Sequence, residues 1–372
     1  MKRPIRVLHV ASGDLWAGAE VMLWQLVSAQ ARSTNVLPAV ALLNDHLLAE
    51  RFRSLGISLS ILDEQRLTSA HILQSLNKLM KTLAPDVVHT HRYKENILAG
   101  LAAGLQGIPS LRTMHGAEEH RASFRQIARW STLKADDVVA RTLQARVVAV
   151  CAALARNLPA KLSRKVSVIH NGIDAEALGN GAARAGSENP VRIGFVGRLT
   201  AVKRVDRFLR VARALSDELP GRFEFVVAGD GPLLEPTRRL ATELGLAAET
   251  RVQGFVDDIP NLLRTLTALY VTSDSEGIPY SILEAHALNV PVVATAVGGL
   301  PEVLEDGAAG ILVDPNEESG FVAAGIRLAR DFSSFKPMLR RAQMLVRSEF
   351  SQQTMAANYA ALYDTIAATP RK

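Results

Sequence analysis

The chain is 372 residues long, with 48% hydrophobic residues, 22% charged residues and a formal net charge of +6. This composition excludes a low-complexity or disordered polymer and suits two globular domains of roughly 150–190 residues each. Cys151 is the only cysteine, so no disulfide can form within the chain. The positive balance favours phosphates or acidic lipid, while the 5% aromatic content lacks basic–aromatic interleaving and argues against nucleic acid as a partner.

The first residues, MKRPIRVLHVASG, place an apolar run behind basic residues, but Gly13 and Asp14 end it too early for a signal peptide, and it reads as the first strand. No apolar run approaches the roughly 18 residues that cross a bilayer, so the expected location is cytoplasmic. IRVLHVA, VLPAVALL, ISLSIL, VVHTH and SLRTMH follow as strands, separated by helical stretches such as Glu20–Ala31, Ala70–Leu83 and Glu95–Leu105. Further strands are expected at Val147–Ala149 and Val166–His170. A weakly patterned Gly/Ala/Asn-rich segment then reads as a linker, and the alternation restarts with VRIGFVGR, FEFVVAGDG, RVQGFV, ALYVTSD, PVVATAV and GILVD. The expected architecture is α/β, with two doubly wound Rossmann-like domains facing a cleft. Their bounds are residues 1–175 and 191–350, with a linker at 176–190 and a terminal helical segment at 351–372.

Two stretches of the first half carry chemistry without fixing it. His89 and His91 alternate on a strand and share a face, the arrangement of a metal pair, with His115 as a third candidate. No carboxylate or cysteine joins them at ligand spacing, so no metal is expected. HRASFRQIARWSTLK (His120–Lys134) reads as a helix with Arg121, Arg125 and Arg129 on one arc and Phe124, Ile127 and Trp130 drifting across another. Such a helix suits an anionic membrane surface; the plainer alternative is a domain helix with its apolar stripe in the core.

The most informative stretch is Ser273–Glu302. ALYVTSD is a buried parallel strand, EGIP breaks it, and a helix starts at Tyr280, just beyond the strand's carboxyl end, where open α/β sheets bind ligands. The first N–H groups of that helix, near Tyr280 and Ser281, make an anion site. Glu284, one turn in, offers a carboxylate to a vicinal diol, as an acidic residue does for ribose in dinucleotide sites. PVVATAVGG supplies a second strand ending in two glycines, where backbone can approach a ligand closely.

Glu276 and Glu284, with seven residues between them, followed by Glu-Ala and GGLPE, resemble the signature of the retaining family-4 glycosyltransferases of GT-B fold, and the likeness extends over nearly the whole chain. The resemblance implies a nucleotide-diphosphate sugar as co-substrate, UDP-sugar before GDP-sugar, no cofactor and no metal. The acceptor would be a glycan or lipid-linked glycan of cell-surface polysaccharide or lipopolysaccharide synthesis, and the enzyme would sit at the inner face of the cell membrane. In GRLTAVKRVD, Gly197, Arg198 and Lys203 match the positions that grip the donor diphosphate. Gly254, Phe255 and Val256 match the segment at the nucleotide base, and Gly277, Ile278, Pro279, Tyr280, Ser281 and Glu284 complete the donor set. Glu276 would orient the sugar, and His115 would hydrogen-bond a sugar hydroxyl and stabilise charge. AGAE keeps only Gly18 of the family's glycine pair, Ala17 being a departure. The last helix would cross back to the first domain. A sugar-nucleotide epimerase of the same fold and a non-catalytic sugar-nucleotide sensor are the rival readings.

Overall fold

The computed structural model describes residues 3–14, 16–116, 127–179 and 190–368. Two compact units divide the chain: Met1–Gly172 with Gln352–Lys372, and Ile173–Ser351.

The first unit runs β1 (Ile5–Ala11), α1 (Gly18–Ala31), β2 (Val36–Leu42), α2 (Leu47–Ser54), β3 (Ser58–Ile61), α3 (Ser69–Leu83), β4 (Val87–Thr90), α4 (Tyr93–Leu105), β5 (Ser110–Met114), α5 (Ile127–Thr142), β6 (Gln144–Ala149), α6 (Ala152–Arg156) and β7 (Val166–Val168). Its seven strands are parallel in the order β3-β2-β1-β4-β5-β6-β7, which puts the reversal of strand order between β1 and β4. Alternation along β1 feeds two cores: Leu8 and Val10 join Ile72, Leu76 and Val88 on one face, while Ala11 joins Leu23, Val40 and Phe52 on the other.

The helix expected at His120–Lys134 instead continues past Lys134 to Thr142. Its later residues are needed inside, since Val139 and Ala140 are buried and Asp136 takes a buried ion pair from Arg112. Arg121 and Arg125 lie outside the described residues, as does the side chain of Arg129.

The second unit comprises β8 (Val191–Val196), α7 (Val205–Glu218), β9 (Phe223–Ala228), α8 (Leu234–Glu243), β10 (Thr250–Gly254), α9 (Ile259–Arg264), β11 (Ala268–Val271), α10 (Tyr280–Ala287), β12 (Val292–Thr295), α11 (Leu300–Val303), β13 (Ile311–Val313), α12 (Ser319–Arg330) and α13 (Lys336–Ser348). The strands are again parallel, in the order β10-β9-β8-β11-β12-β13, with the reversal between β8 and β11. Helix α7 turns Val205, Phe208, Leu209, Ala212 and Leu215 inward at helical spacing, where they meet Phe225, Tyr270 and Phe321. The expected strands are all present, most of them a few residues shorter at the carboxyl end, because residues such as Thr272–Asp274 leave the ladder to shape loops. Residues expected as a linker partly belong to this unit: Arg264 donates to the Leu178 carbonyl, while residues 180–189 lie outside the described ones.

The chain enters and leaves the second unit side by side, with Ile173 N–H donating to Phe350 O at 2.9 Å. The last helix, α14 (Gln352–Ala367), is part of the first unit and packs on α1, β1 and β4. Tyr359 and Tyr363, one turn apart, are fully buried there. The Tyr363 hydroxyl bonds His89 Nδ1 and Thr113 Oγ1 bonds His89 Nε2, each at 2.7 Å, and Tyr359 bonds Thr113 at 2.7 Å. His9, paired with His89 in the β1–β4 register, bonds Gln30 Oε1 at 2.8 Å and His91 Nε2 at 3.4 Å. The third imidazole beside His89 and His91 is therefore His9, with ligand atoms of the three within 4.8 Å of one another. His115, expected in that place, instead stacks on the outer side of His91 with ring centroids 5.8 Å apart. Both ring nitrogens of His9 and of His89 are engaged in bonds, so the cluster stands as a hydrogen-bonded network that fastens α14 to the sheet.

Burial keeps these rings neutral: His9 is pushed down to about 4, and His89 and His91 are held well below the ordinary imidazole range by burial first and by neighbouring imidazoles second, His9 for the one and His89 for the other. The unfolded chain titrates near 6.5. Stability is therefore fully present above about pH 6.5 and is lost as the pH falls toward about 4, because the unfolded state binds more protons. Urea melts of the first unit should show this acid loss. Tyr363→Phe should cost about 1–3 kcal/mol at pH 7.5 by leaving His89 Nδ1 unpartnered; an unchanged urea midpoint would refute the fastening role.

Candidate active site

In both sheets the reversal of strand order opens a crevice at the carboxyl ends of the strands. Gly18, Gly197, Arg198, Lys203, Glu276 and Glu284 lie on segments that follow the reversal strands, whereas Gly254 ends the edge strand β10, Phe255 and Val256 come after it, and His115 follows β5. His115 and Gly18 belong to the first unit; the others belong to the second.

In the second unit, β8 ends into Gly197 and an exposed Arg198 whose guanidinium has no hydrogen bond or ion pair among the described residues. A single 3-10 turn, Ala201–Lys203, then presents Lys203. Its ammonium donates to both oxygens of Glu276, at 2.6 and 2.8 Å. Glu276 is held from two further sides. Ser273 Oγ donates to Glu276 Oε1 at 2.6 Å, and Thr295 Oγ1 donates to the Ser273 carbonyl at 2.5 Å. The Gly299 N–H donates to the Glu276 carbonyl at 3.1 Å. Gly298 before it has φ +56°, and a Cβ there would lie 2.0 Å from that same carbonyl oxygen, so the turn needs glycine for both conformation and space. Gly229, in the neighbouring βα turn, is constrained likewise: a Cβ would lie 1.8 Å from Gly197 O.

Gly277 and Ile278 are buried and lead through Pro279 to Tyr280 and Ser281 at the start of α10. The opening N–H groups of a helix have no acceptor within it. One turn on, Glu284 is half-buried, and no hydrogen bond or ion pair of its carboxylate is present among the described residues. Burial, reinforced by Asp258, pushes its pKa up to about 8. Across the sheet Gly254, at φ +76°, precedes a 57% exposed Phe255 and a half-buried Val256.

In the first unit, burial depresses His115 to about 3, and neither ring nitrogen has a hydrogen-bond partner among the described residues. Burial thus favours the neutral ring, which can donate or accept a hydrogen bond. Gly18 opens α1, and a Cβ there would meet no described atom within 4 Å. Two residues later Glu20, only 3% exposed, accepts from Arg92 Nη2 at 2.8 Å. Burial raises its pKa to about 7, against the pull of Arg92.

Sequence reasoning missed Ser273, Thr295, His9 and the Glu20–Arg92 pair. Ser273 sits three residues before Glu276 in SDSE and reads in sequence as the end of the strand ALYVTSD, which stops at Val271; the others depend on contacts between distant segments.

Residues 16–177 match the model of the family described as Glycosyltransferase Family 4, and residues 182–338 that of Glycosyl transferases group 1. The chain is 30% identical over 310 residues to the D-inositol 3-phosphate glycosyltransferase of Streptomyces scabiei (strain 87.22), covering 75% of this chain and 67% of that protein. It is 26% identical over 351 residues to the UDP-Gal:alpha-D-GlcNAc-diphosphoundecaprenol alpha-1,3-galactosyltransferase of Escherichia coli, covering 88% of each. In structure it is similar to Anabaena Alr3699/HepE in complex with UDP-glucose, with a TM-score of 0.83 at 20% identity over 97% of this chain and 100% of that one. Two parallel α/β units with this strand order, both family models and these relatives agree: the chain belongs to the family-4 glycosyltransferases of GT-B fold.

Proposed function

We propose that this glycosyltransferase is a retaining, metal-independent enzyme that moves a sugar from a nucleotide-diphosphate donor, UDP-sugar before GDP-sugar, to a glycan or lipid-linked acceptor of cell-surface polysaccharide or lipopolysaccharide synthesis. The observation that carries the reading is the Lys203–Glu276 pair at the β8/β11 reversal, flanked by an unengaged Arg198 and a carboxylate without a partner at Glu284. A UDP-galactose donor is named for the Escherichia coli relative, and UDP-glucose is bound in the Anabaena neighbour.

The second unit is assigned the donor and the first unit the acceptor. Glu284 accepts hydrogen bonds from the ribose diol, and Phe255 lies along the base. As the bond from the anomeric carbon to the phosphate oxygen breaks, negative charge moves onto the diphosphate, where Arg198 and Lys203 stabilise it more than they stabilise the intact donor. The departing phosphate oxygen takes the proton of the acceptor hydroxyl as the new bond forms on the same face of the sugar. No general acid is needed for so good a leaving group, in contrast to the glycosidases. Glu276, fixed by Ser273 and by the Gly298–Gly299 turn, orients the sugar hydroxyls, and the neutral His115 adds one hydrogen bond.

A panel of nucleotide sugars, with and without lipid-linked acceptors, tests the reading: transfer requires an acceptor, whereas epimerisation without one, or binding without turnover, would contradict it. Arg198→Ala and Lys203→Ala should each lower kcat by about 10²–10³-fold with a smaller change in donor affinity. Near-wild-type kcat in both at saturating donor would rule out the cationic role.

Donor affinity should rise as the pH rises through about 8, because the Glu284 carboxyl must lose its proton to accept two hydroxyls well. Glu284→Gln should weaken donor about ten- to a hundredfold and flatten that profile. A mutant that discriminates against a 2′-deoxyribose donor as strongly as wild type does would show that Glu284 does not hold the ribose.

No helix among the described residues is long and apolar enough to cross a membrane. Peripheral attachment at the inner membrane face is assigned to Arg121, Arg125 and Arg129, each contributing about 1 kcal/mol near an anionic surface. Sedimentation with vesicles should show binding that grows with anionic lipid, weakens with salt and falls when the three arginines become glutamine. Binding indifferent to that triple change would remove the segment from the membrane contact.

A further inference from the structure

We propose that Arg204 is a positioning residue that sets Lys203 for the donor diphosphate, by clamping the loop after β8 to the loop after β11. The inference rests on the donor reading above and concerns a residue that this reading leaves without a role.

Arg204 stands at φ 51° and ψ 48°, left-handed backbone in a residue that is not glycine. L-residues hold that conformation at a cost, and it persists where the surroundings over-determine it. Here it closes the turn that carries Lys203 and opens α7, yet its side chain makes no capping bond to that helix. Glycine would serve the turn with less strain, so the arginine side chain has other work. Its Nε donates to Asp206 at 3.0 and 3.2 Å and its Nη2 to the same carboxylate at 3.1 Å. From the other end of the fork, Nη1 reaches both oxygens of Asp274 at 3.1 Å. Asp274 is also held by Arg207 Nη2 at 3.0 Å.

The clamp is one of several stitches between the same two segments. Asp274 N–H donates to Val202 O at 2.8 Å, and Thr272 Oγ1 donates to the carbonyls of Lys203 and Arg204 at 3.2 and 2.9 Å. These segments leave β8 and β11, neighbours at the reversal of strand order. One carries Lys203 and the other leads within two residues from Asp274 to Glu276. The backbone of Lys203 is thus pinned on the side of Arg204, which limits the arc its ammonium can sweep to the neighbourhood of the Glu276 oxygens it now bonds. A planar fork that spans two carboxylates is a task for arginine and not for lysine.

The test is a double-mutant cycle read by calorimetry, with UDP and UDP-glucose as probes, or GDP and GDP-mannose if the wild type prefers guanine. Free nucleoside diphosphate carries the terminal charge that the sugar ester lacks, so Lys203 should matter more for UDP than for UDP-glucose. Arg204→Gly should keep a thermal midpoint near that of wild type, since eased backbone strain offsets the lost ion pairs. It should weaken UDP about tenfold and UDP-glucose less. In a Lys203→Ala background the same change should weaken UDP no further, because Arg204 acts through Lys203. An equal loss in both backgrounds, or undiminished UDP affinity in a folded Arg204→Gly protein, would overturn the proposal. Should Arg204→Gly fail to fold, Arg204→Lys is judged by the same cycle. If Lys203→Ala alone leaves UDP affinity unchanged, it is the donor reading that fails, and this inference fails with it.

Discussion

The second unit is organised by one interaction, the ion pair between Lys203 and Glu276. The two residues lie on loops from adjacent strands, and everything near them limits where they can be. Ser273 and the Gly298–Gly299 turn fix the carboxylate, and the turn closed at Arg204 fixes the lysine. The pair is mutually satisfied; a lysine at 26% exposure and a glutamate at 9% would each be costly alone. Under the proposed function, a diphosphate beside Arg198 would share the lysine while the glutamate turned toward the sugar, using the same two side chains.

The first unit solves a different problem. Its sheet must carry polar residues at the carboxyl ends of β1, β4 and β5 while it remains a packed core. Three imidazoles kept neutral by burial are joined to Thr113, Gln30 and the two tyrosines of α14, which pairs both ring nitrogens of His9 and His89. The last helix therefore contributes to the first unit through specific bonds as well as apolar burial, and the cost of that arrangement is sensitivity to acid.

How much of this was legible follows from the range of each signal. Strand–helix alternation is local, so the parallel α/β architecture and nearly all of its strands could be read from hydrophobic runs and glycines. The pairing of Glu276 with Glu284 across a turn was legible for the same reason, and GGLPE announced a tight turn whose purpose, a close approach to the Glu276 carbonyl, was not stated by the residues. His9 escaped notice because its tie to His89 is a register between strands some eighty residues apart. The helix expected at His120–Lys134 ran on because Asp136 and Val139 answer to partners in β5 and α4 that a helical wheel cannot show. Arg204 gave no signal at all, since a backbone angle is not written in a residue type that usually avoids it.

The central claim is that the diphosphate of a nucleotide sugar is received at the β8/β11 reversal by Arg198 and Lys203, with the ribose on Glu284. A crystal structure with UDP bound tests it most directly. The account predicts the β-phosphate within hydrogen-bond reach of the Lys203 ammonium and the Arg198 guanidinium, and both ribose hydroxyls on the Glu284 carboxylate. A nucleotide seated elsewhere, or phosphates that leave Lys203 bonded to Glu276 alone, would contradict it.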